Sequence, residues 1–208
     1  MQTEGQDRTL LLRWDLNLLT APAEVLRKLP GQEQSRSDPA TSSADRDGAT
    51  TVGSIIVVSG PGGVGKSTIA HLVAAAFERS VHLDADDFLA SVVGGAVRPD
   101  LPEAEDQNEA VGGALAVSAM GFAQDRYMTA VSGYLFPDGV AGLAAACRPR
   151  ALSCHYAVLM ADLETCWERA SARGGEGRWP LEFEPFAKVH ARFSRLDLDD
   201  RHVIDAVG

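Results

Sequence analysis

The chain has 208 residues, 45% hydrophobic and 23% charged, an ordinary globular composition. That length suits one domain with an appendage, or two very small domains. With 19 Lys and Arg against 29 Asp and Glu, the formal net charge is -10, which argues against nonspecific nucleic-acid binding and against docking on anionic lipid.

Residues 1–30 read as an N-terminal extension. Its Leu-rich stretch at 10–19 is interrupted by Arg13 and Asp15 and falls short of the roughly 18 apolar residues of a membrane span. No secretory leader is read there either. Residues 31–53 read as a flexible linker: Val52 is the one large aliphatic residue among Ser, Thr, Asp and Gly, too little apolar surface to offset the entropy of ordering. Folded character begins at Ser54, so 54–208 reads as the domain. SIIVVSG (54–60) has the β-branched continuity of a strand buried on both faces. Residues 67–79 place apolar side chains at 69, 72, 73, 76 and 77, a helical spacing. VHLDADDF is a second strand running into acidic residues, followed by a Pro- and acid-rich turn and an Ala-rich segment over 107–131 that reads as helix, with interruptions left open at Gly112–Gly113 and at Gly121. HYAVLMAD is a further strand leading into a helix over 164–173, and RGGEGRWP a polar loop. Helix EPFAKVHARFSRL and strand HVIDAV close the chain. This alternation predicts a parallel sheet covered on both faces.

Within that frame, Gly60-Pro61-Gly62-Gly63-Val64-Gly65-Lys66-Ser67 fits G-x-x-x-x-G-K-[ST] once, between the first strand and the first helix. Glycines let successive backbone N–H groups point at phosphate oxygens, and the helix start adds its positive dipole end. Lys66 supplies a mobile charge for the β- and γ-phosphates. It stands out because the chain has only three lysines, Lys28, Lys66 and Lys188. Ser67 is placed to coordinate Mg²⁺, and Gly60, Gly62, Gly63, Val64, Gly65 and Thr68 complete the expected cradle for ATP. At the end of the second strand, Asp84, Asp86 and Asp87 should face the phosphates, since ligands of open α/β sheets bind at the carboxyl ends of strands. Two carboxylates at i and i+2 can divide the work between the metal's water shell and a proton from an attacking hydroxyl.

On these motifs, residues 54–208 resemble the P-loop small-molecule kinases: the shikimate and gluconate kinases and, more closely, the chloramphenicol phosphotransferase-like group. The resemblance implies a P-loop NTPase three-layer sandwich, with a central, mostly parallel sheet and an Arg-bearing lid. It implies an ATP- and Mg²⁺-dependent phosphotransferase acting on a hydroxyl of a small molecule, such as an antibiotic or other natural product. Carried over residue by residue, Asp86 becomes the base that meets the acceptor and Asp84 the metal-side partner. Gly133-Tyr134-Leu135-Phe136-Pro137-Asp138-Gly139 falls where the family has an apolar strand ending in Asp-Gly. Pro137 is unsuited to a central strand, so Asp138 is either a Mg²⁺-supporting residue at a truncated strand end or a turn residue. Arg169, Arg173 and Arg178, with Gly174, Gly175 and Gly177, resemble the family's lid. Arg169 is expected to bind ATP and Arg173 to act on developing phosphoryl charge.

Phe88, Gln107 and Asn108 are the remaining candidates for contact with the acceptor. Trp179, Phe183 and Phe186 are alternatives for its pocket or for the core. The five histidines lack metal-ligand spacing and read as structural. Cys147, Cys154 and Cys166 read as reduced thiols of a cytoplasmic protein. Expected partners are a small-molecule acceptor, with neither nucleic acid nor membrane; oligomeric state is not legible. Two other readings stay open: a nucleotide-binding switch without an acceptor, and a toxin-like nucleotide-sugar kinase.

Overall fold

The run SIIVVS forms β1 (Ser54–Ser59), whose side chains alternate between two cores. Ile55 and Val57 pack with Leu115, Val131 and Tyr156 on one face, and Ile56 and Val58 with Ala70, Ala74 and Leu159 on the other. Each such aliphatic side chain contributes roughly 1.5–3 kcal/mol on burial, which is why a strand apolar on both faces occupies the middle of a sheet. In the computed structural model, residues 53–173 and 178–206 are described. The N-terminal extension, nearly all of the 31–53 linker, and Gly174, Gly175 and Gly177 lie outside them.

After β1 come α1 (Lys66–Ala75), β2 (Ser80–Asp84), α2 (Ala85–Ala90), α3 (Glu105–Gln124) and β3 (Met128–Ser132). They are followed by α4 (Pro137–Cys147), β4 (Ser153–Met160), α5 (Leu163–Ala172), α6 (Phe183–Ser194) and β5 (Val203–Asp205). The strands form one parallel sheet in the order β2-β3-β1-β4-β5. Helix α1 packs on one face, with α3 and α4 on the other, so the layering is the expected three-layer α/β sandwich. Among the described residues no helix is long and apolar enough to cross a membrane.

Two expectations are corrected. The Ala-rich helix does not continue to Val131; it stops at Gln124, and β3 follows after three residues. The stop is built into the backbone. Arg126 adopts a left-handed φ of 65°, while Arg126 N–H bonds the Ala123 carbonyl at 3.0 Å and Tyr127 N–H the Phe122 carbonyl at 3.0 Å. This is a Schellman closure with arginine where glycine is usual. The third strand is therefore MTAVS, fully buried, and not the segment ending at Asp138. Pro137 instead opens α4 at the position where its missing N–H costs nothing, and Asp138 lies in that helix's first turn.

Candidate active site

The carboxyl ends of β1, β2 and β3 bring the loop, the acidic residues and the β3 turn together. Gly60, Gly63 and Gly65 have φ of 140°, 71° and 101°, values that favour glycine. At Gly63 a Cβ would lie 1.9 Å from the Cys166 carbonyl oxygen of α5, so the loop is pressed against that helix. At Gly65, which caps α1, a Cβ would meet nothing within 4 Å. The open side of the loop thus lies at the helix start, where a phosphate gains both backbone N–H groups and the dipole. Val64 is buried beneath the loop, while Ser67 and Thr68 are exposed.

Lys66 is half-buried and turned toward its own loop: Nζ donates to the Pro61 carbonyl at 2.9 Å and stands 4.3 Å from the centre of the Tyr134 ring. Burial pulls its pKa down to about 8, against the opposing charges of Asp86 and Asp84, and Arg173 adds to the lowering. Ser67 Oγ donates to Asp84 Oδ2 at 2.6 Å, and Ser132 Oγ to the same oxygen at 2.8 Å. Asp84 Oδ1 accepts from the Asp86 backbone N–H at 3.0 Å, making Asp84 the N-cap of α2. Burial raises the Asp84 carboxyl, but the hydrogen bonds from Ser67, Asp86 and Ser132 outweigh it and hold the group below its ordinary value. Asp86 moves the other way: burial and the Asp84 charge raise it, with Lys66 opposing. The two carboxylates are driven apart in acidity, as a division of labour between them requires.

Tyr134 and Ser132 are the residues that the sequence reading gave no role. Tyr134 is 44% exposed, yet its hydroxyl lies 2.9 Å from where a Cβ on Gly62 would stand. Burial and then the Asp86 charge push the phenol up to about 12, so it stays protonated at neutral pH. Local signal for either residue is slight, because both act across the sheet rather than along the chain. The register that sets Asp84 beside Ser132 is a property of the β2–β3 pairing.

Other candidates are spread more widely. Arg173 caps the end of α5 and lies within electrostatic reach of Lys66. Arg169 Nη1 donates to the Ala206 carbonyl at 3.3 Å, and Arg178 Nη1 to the Val92 carbonyl. Asp138 is exposed in α4; the residue at the end of β3 is Ser132. Gln107 binds Val97 through both ends of its amide, at 2.8 and 2.9 Å, and Asn108 donates to the Pro99 carbonyl at 2.8 Å, so both tether the loop ahead of α3. Phe88 packs against the core cluster that includes α3, and Phe186 covers Gly62 from α6. His190 and His202 are buried, bonded to the Ala161 and Tyr156 carbonyls. All three cysteines are buried free thiols.

Hard oxygen donors of the Ser67–Asp84 kind suit Mg²⁺, an ion that keeps several waters and is held largely by phosphates. Among the described residues there is no cluster of His, Cys, Asp and Glu that would form an all-protein metal cage. A sparse site of one hydroxyl and one carboxylate fits that ion well.

A P-loop at the end of the central strand of a β2-β3-β1-β4-β5 parallel sheet defines a kinase-like P-loop domain. Residues 55–196 match the family described as AAA domain, and the chain belongs to that family. Among solved structures it resembles a provisionally assigned kinase from Chloroflexus aurantiacus, with a TM-score of 0.57 and 16% identity over 74% of this chain and 88% of that one. A gluconokinase from Sinorhizobium meliloti gives a TM-score of 0.50 and 16% identity over 76% and 85%. A chain of the Pnkp1/Rnl/Hen1 RNA repair complex gives 0.53 and 16% over 73% of this chain. This protein spans only 47% of that larger chain. No curated protein matches the sequence.

Proposed function

We propose that this protein transfers the γ-phosphoryl group of ATP, with Mg²⁺, to a hydroxyl of a small molecule. The observation that carries the reading is the meeting of Lys66, the Ser67–Asp84 pair and Asp86 at the open side of the loop. The fold class supports nucleotide binding; the two carboxylates of opposite tendency support transfer. Small molecules are favoured over nucleic-acid ends by the net charge of -10. On this reading residues 54–208 are the kinase domain of a cytoplasmic enzyme, with 1–30 an extension and 31–53 a linker.

The loop N–H groups and Lys66 hold the β- and γ-phosphates, and Lys66 leaves the Pro61 carbonyl to do so. Bound Mg²⁺ neutralises phosphate charge, and Ser67 and Asp84 are the residues that would hold it. The acceptor oxygen attacks the γ-phosphorus, the bond from that phosphorus to the β–γ bridging oxygen breaks, ADP leaves, and the acceptor proton passes to Asp86. A raised carboxyl is the better base of the two. Arg173 neutralises charge on the transferring group, which a loose transition state spreads over its outer oxygens.

Asp86→Asn tests the reading. Nucleotide affinity stays within a few-fold and phosphoryl transfer to an acceptor falls by roughly 10²–10⁴. An Asp86→Asn protein as active as the parent would make Asp86 a helix-start carboxylate and no more.

A further inference from the structure

The Asp84 carboxylate is held through both of its oxygens. Oδ1 accepts from the Asp86 N–H at the start of α2, and Oδ2 accepts from Ser67 at 2.6 Å and from Ser132 at 2.8 Å. The Ser132 hydroxyl has a further neighbour, because His82 Nε2 lies 2.9 Å from the same Oγ. The sheet makes this contact. In the parallel β2–β3 pairing Asp84 stands opposite Ser132 and His82 opposite Ala130, so His82 meets Ser132 along the diagonal, on the face that carries α1. Ser132 is fully buried and His82 half-buried, and the exposed His71 of α1 meets the His82 ring edge-on, centres 6.2 Å apart.

The protons available fix the direction of these bonds. An ionised carboxylate only accepts, so the single hydroxyl proton of Ser132 goes to Asp84, and so does that of Ser67. Ser132 Oγ can then only accept from His82, which places a proton on Nε2. The chain runs one way, from the His82 N–H through the Ser132 O–H to Asp84 Oδ2. A hydroxyl that accepts one hydrogen bond donates the next more strongly. At the far end, Ser67 has given its only proton to Asp84 and keeps lone pairs alone, which is what a hard cation needs from a hydroxyl. Were Oδ2 to turn away, Ser67 would be free to aim that proton at the ion.

We propose that His82, acting through Ser132, is a positioning residue for the divalent cation: it holds Asp84 Oδ2 where that oxygen orients the Ser67 hydroxyl. This rests on the reading of Ser67 and Asp84 as the residues that would hold Mg²⁺, and not on transfer to an acceptor.

In the test the full chain, in excess over ADP, is titrated with Mn²⁺ as the probe, and electron paramagnetic resonance counts the free ion. ADP affinity in EDTA, without metal, is measured alongside. His82→Phe keeps a ring and removes the donor; Ser132→Ala removes the link. Each should weaken Mn²⁺ binding to the ADP complex about tenfold, with metal-free ADP affinity within about twofold of the parent. His82→Gln carries an N–H about as far from the backbone as Nε2 and should recover most of the Mn²⁺ affinity. Added to Ser132→Ala, His82→Phe should cost nothing more, since the link is already gone. A role in folding alone would lower the melting temperature and leave the Mn²⁺ affinity of the folded protein unchanged, and that result overturns the proposal. So does a glutamine variant as weak as the phenylalanine one, or losses that add in the double variant. Should His82→Phe fold poorly, unchanged Mn²⁺ affinity in Ser132→Ala is equally decisive against it. Asp84→Asn separates the two readings. Weak Mn²⁺ binding by Asp84→Asn, with parent-like His82 and Ser132 variants, keeps Asp84 at the metal and defeats the positioning role. Parent-like Mn²⁺ binding by Asp84→Asn defeats the metal reading, and the positioning role with it.

Discussion

At the scale of single residues, burial brings Lys66 within reach of losing, in mildly alkaline solution, the charge its task demands. A lysine with a pKa of about 8 is mostly neutral at pH 9, while a triphosphate at the loop requires it charged. Nucleotide binding at pH 9 should therefore take up nearly one proton per site, and at pH 6.5 almost none through this group. Calorimetry in two buffers of different ionisation enthalpy measures this directly, and Lys66→Met should abolish the uptake. The same shift has a consequence for folding. The unfolded chain binds the proton more tightly than the fold does, so the lysine's penalty is full below about pH 8 and fades toward 10.5. Absence of proton uptake at pH 9 would mean that Lys66 is already charged, or never meets the phosphate.

Elements carry the next layer of control. The end of α3 depends on Arg126 in a left-handed conformation, a geometry that costs a non-glycine residue about 1–2 kcal/mol. Arg126→Gly keeps the Schellman bonds and removes the steric cost, offset in part by glycine's greater freedom when unfolded. A net gain of roughly 0.5–1 kcal/mol is expected, a rise of about 1–4 °C in a thermal melt. A fall in Tm would show that the arginine side chain, not the backbone, matters at that corner. Helix α5 is the second such element: its carbonyl at Cys166 abuts Gly63, and its last residue leads into Arg173 near Lys66. Arg173→Lys keeps the charge but loses the forked donors suited to two phosphate oxygens. If Arg173 acts on developing charge, kcat falls more than the KM for ATP rises. A higher KM with constant kcat would make it a ground-state contact only.

Considered as a whole molecule, the sheet carries a core on each of its faces. The chain just ahead of β1 is tied into that structure. The Gly53 carbonyl accepts from Ser153 N–H at 3.0 Å, and a Cβ at this position would lie 1.9 Å from the Ala123 carbonyl oxygen. Deleting residues 1–50 leaves this joint intact, so the truncated chain should melt as a cooperative unit and bind nucleotide as the parent does. Aggregation on truncation, or a loss of binding, would place the Leu-rich stretch at 10–19 against the domain.

Local chemistry was legible in the sequence. A β-branched run, a glycine loop, one lysine and an acidic strand end name the P-loop and its direction, because each works through contacts between chain neighbours. The apolar periods of α1 and α6 and the strand at β4 follow from side-chain spacing alone. What the tertiary structure decided is whatever depends on partners distant in sequence. MTAVS becomes a strand, and not the end of a helix, because β1 and β2 supply hydrogen bonds on both of its edges. Ser132 joins Asp84, and Tyr134 covers Lys66, through that same pairing. Gly112 and Gly113, possible helix breaks when read along the chain, line a recess only because α4 packs across from them. Spacing along one segment specifies its shape; which surfaces meet is settled by the burial that all the segments share.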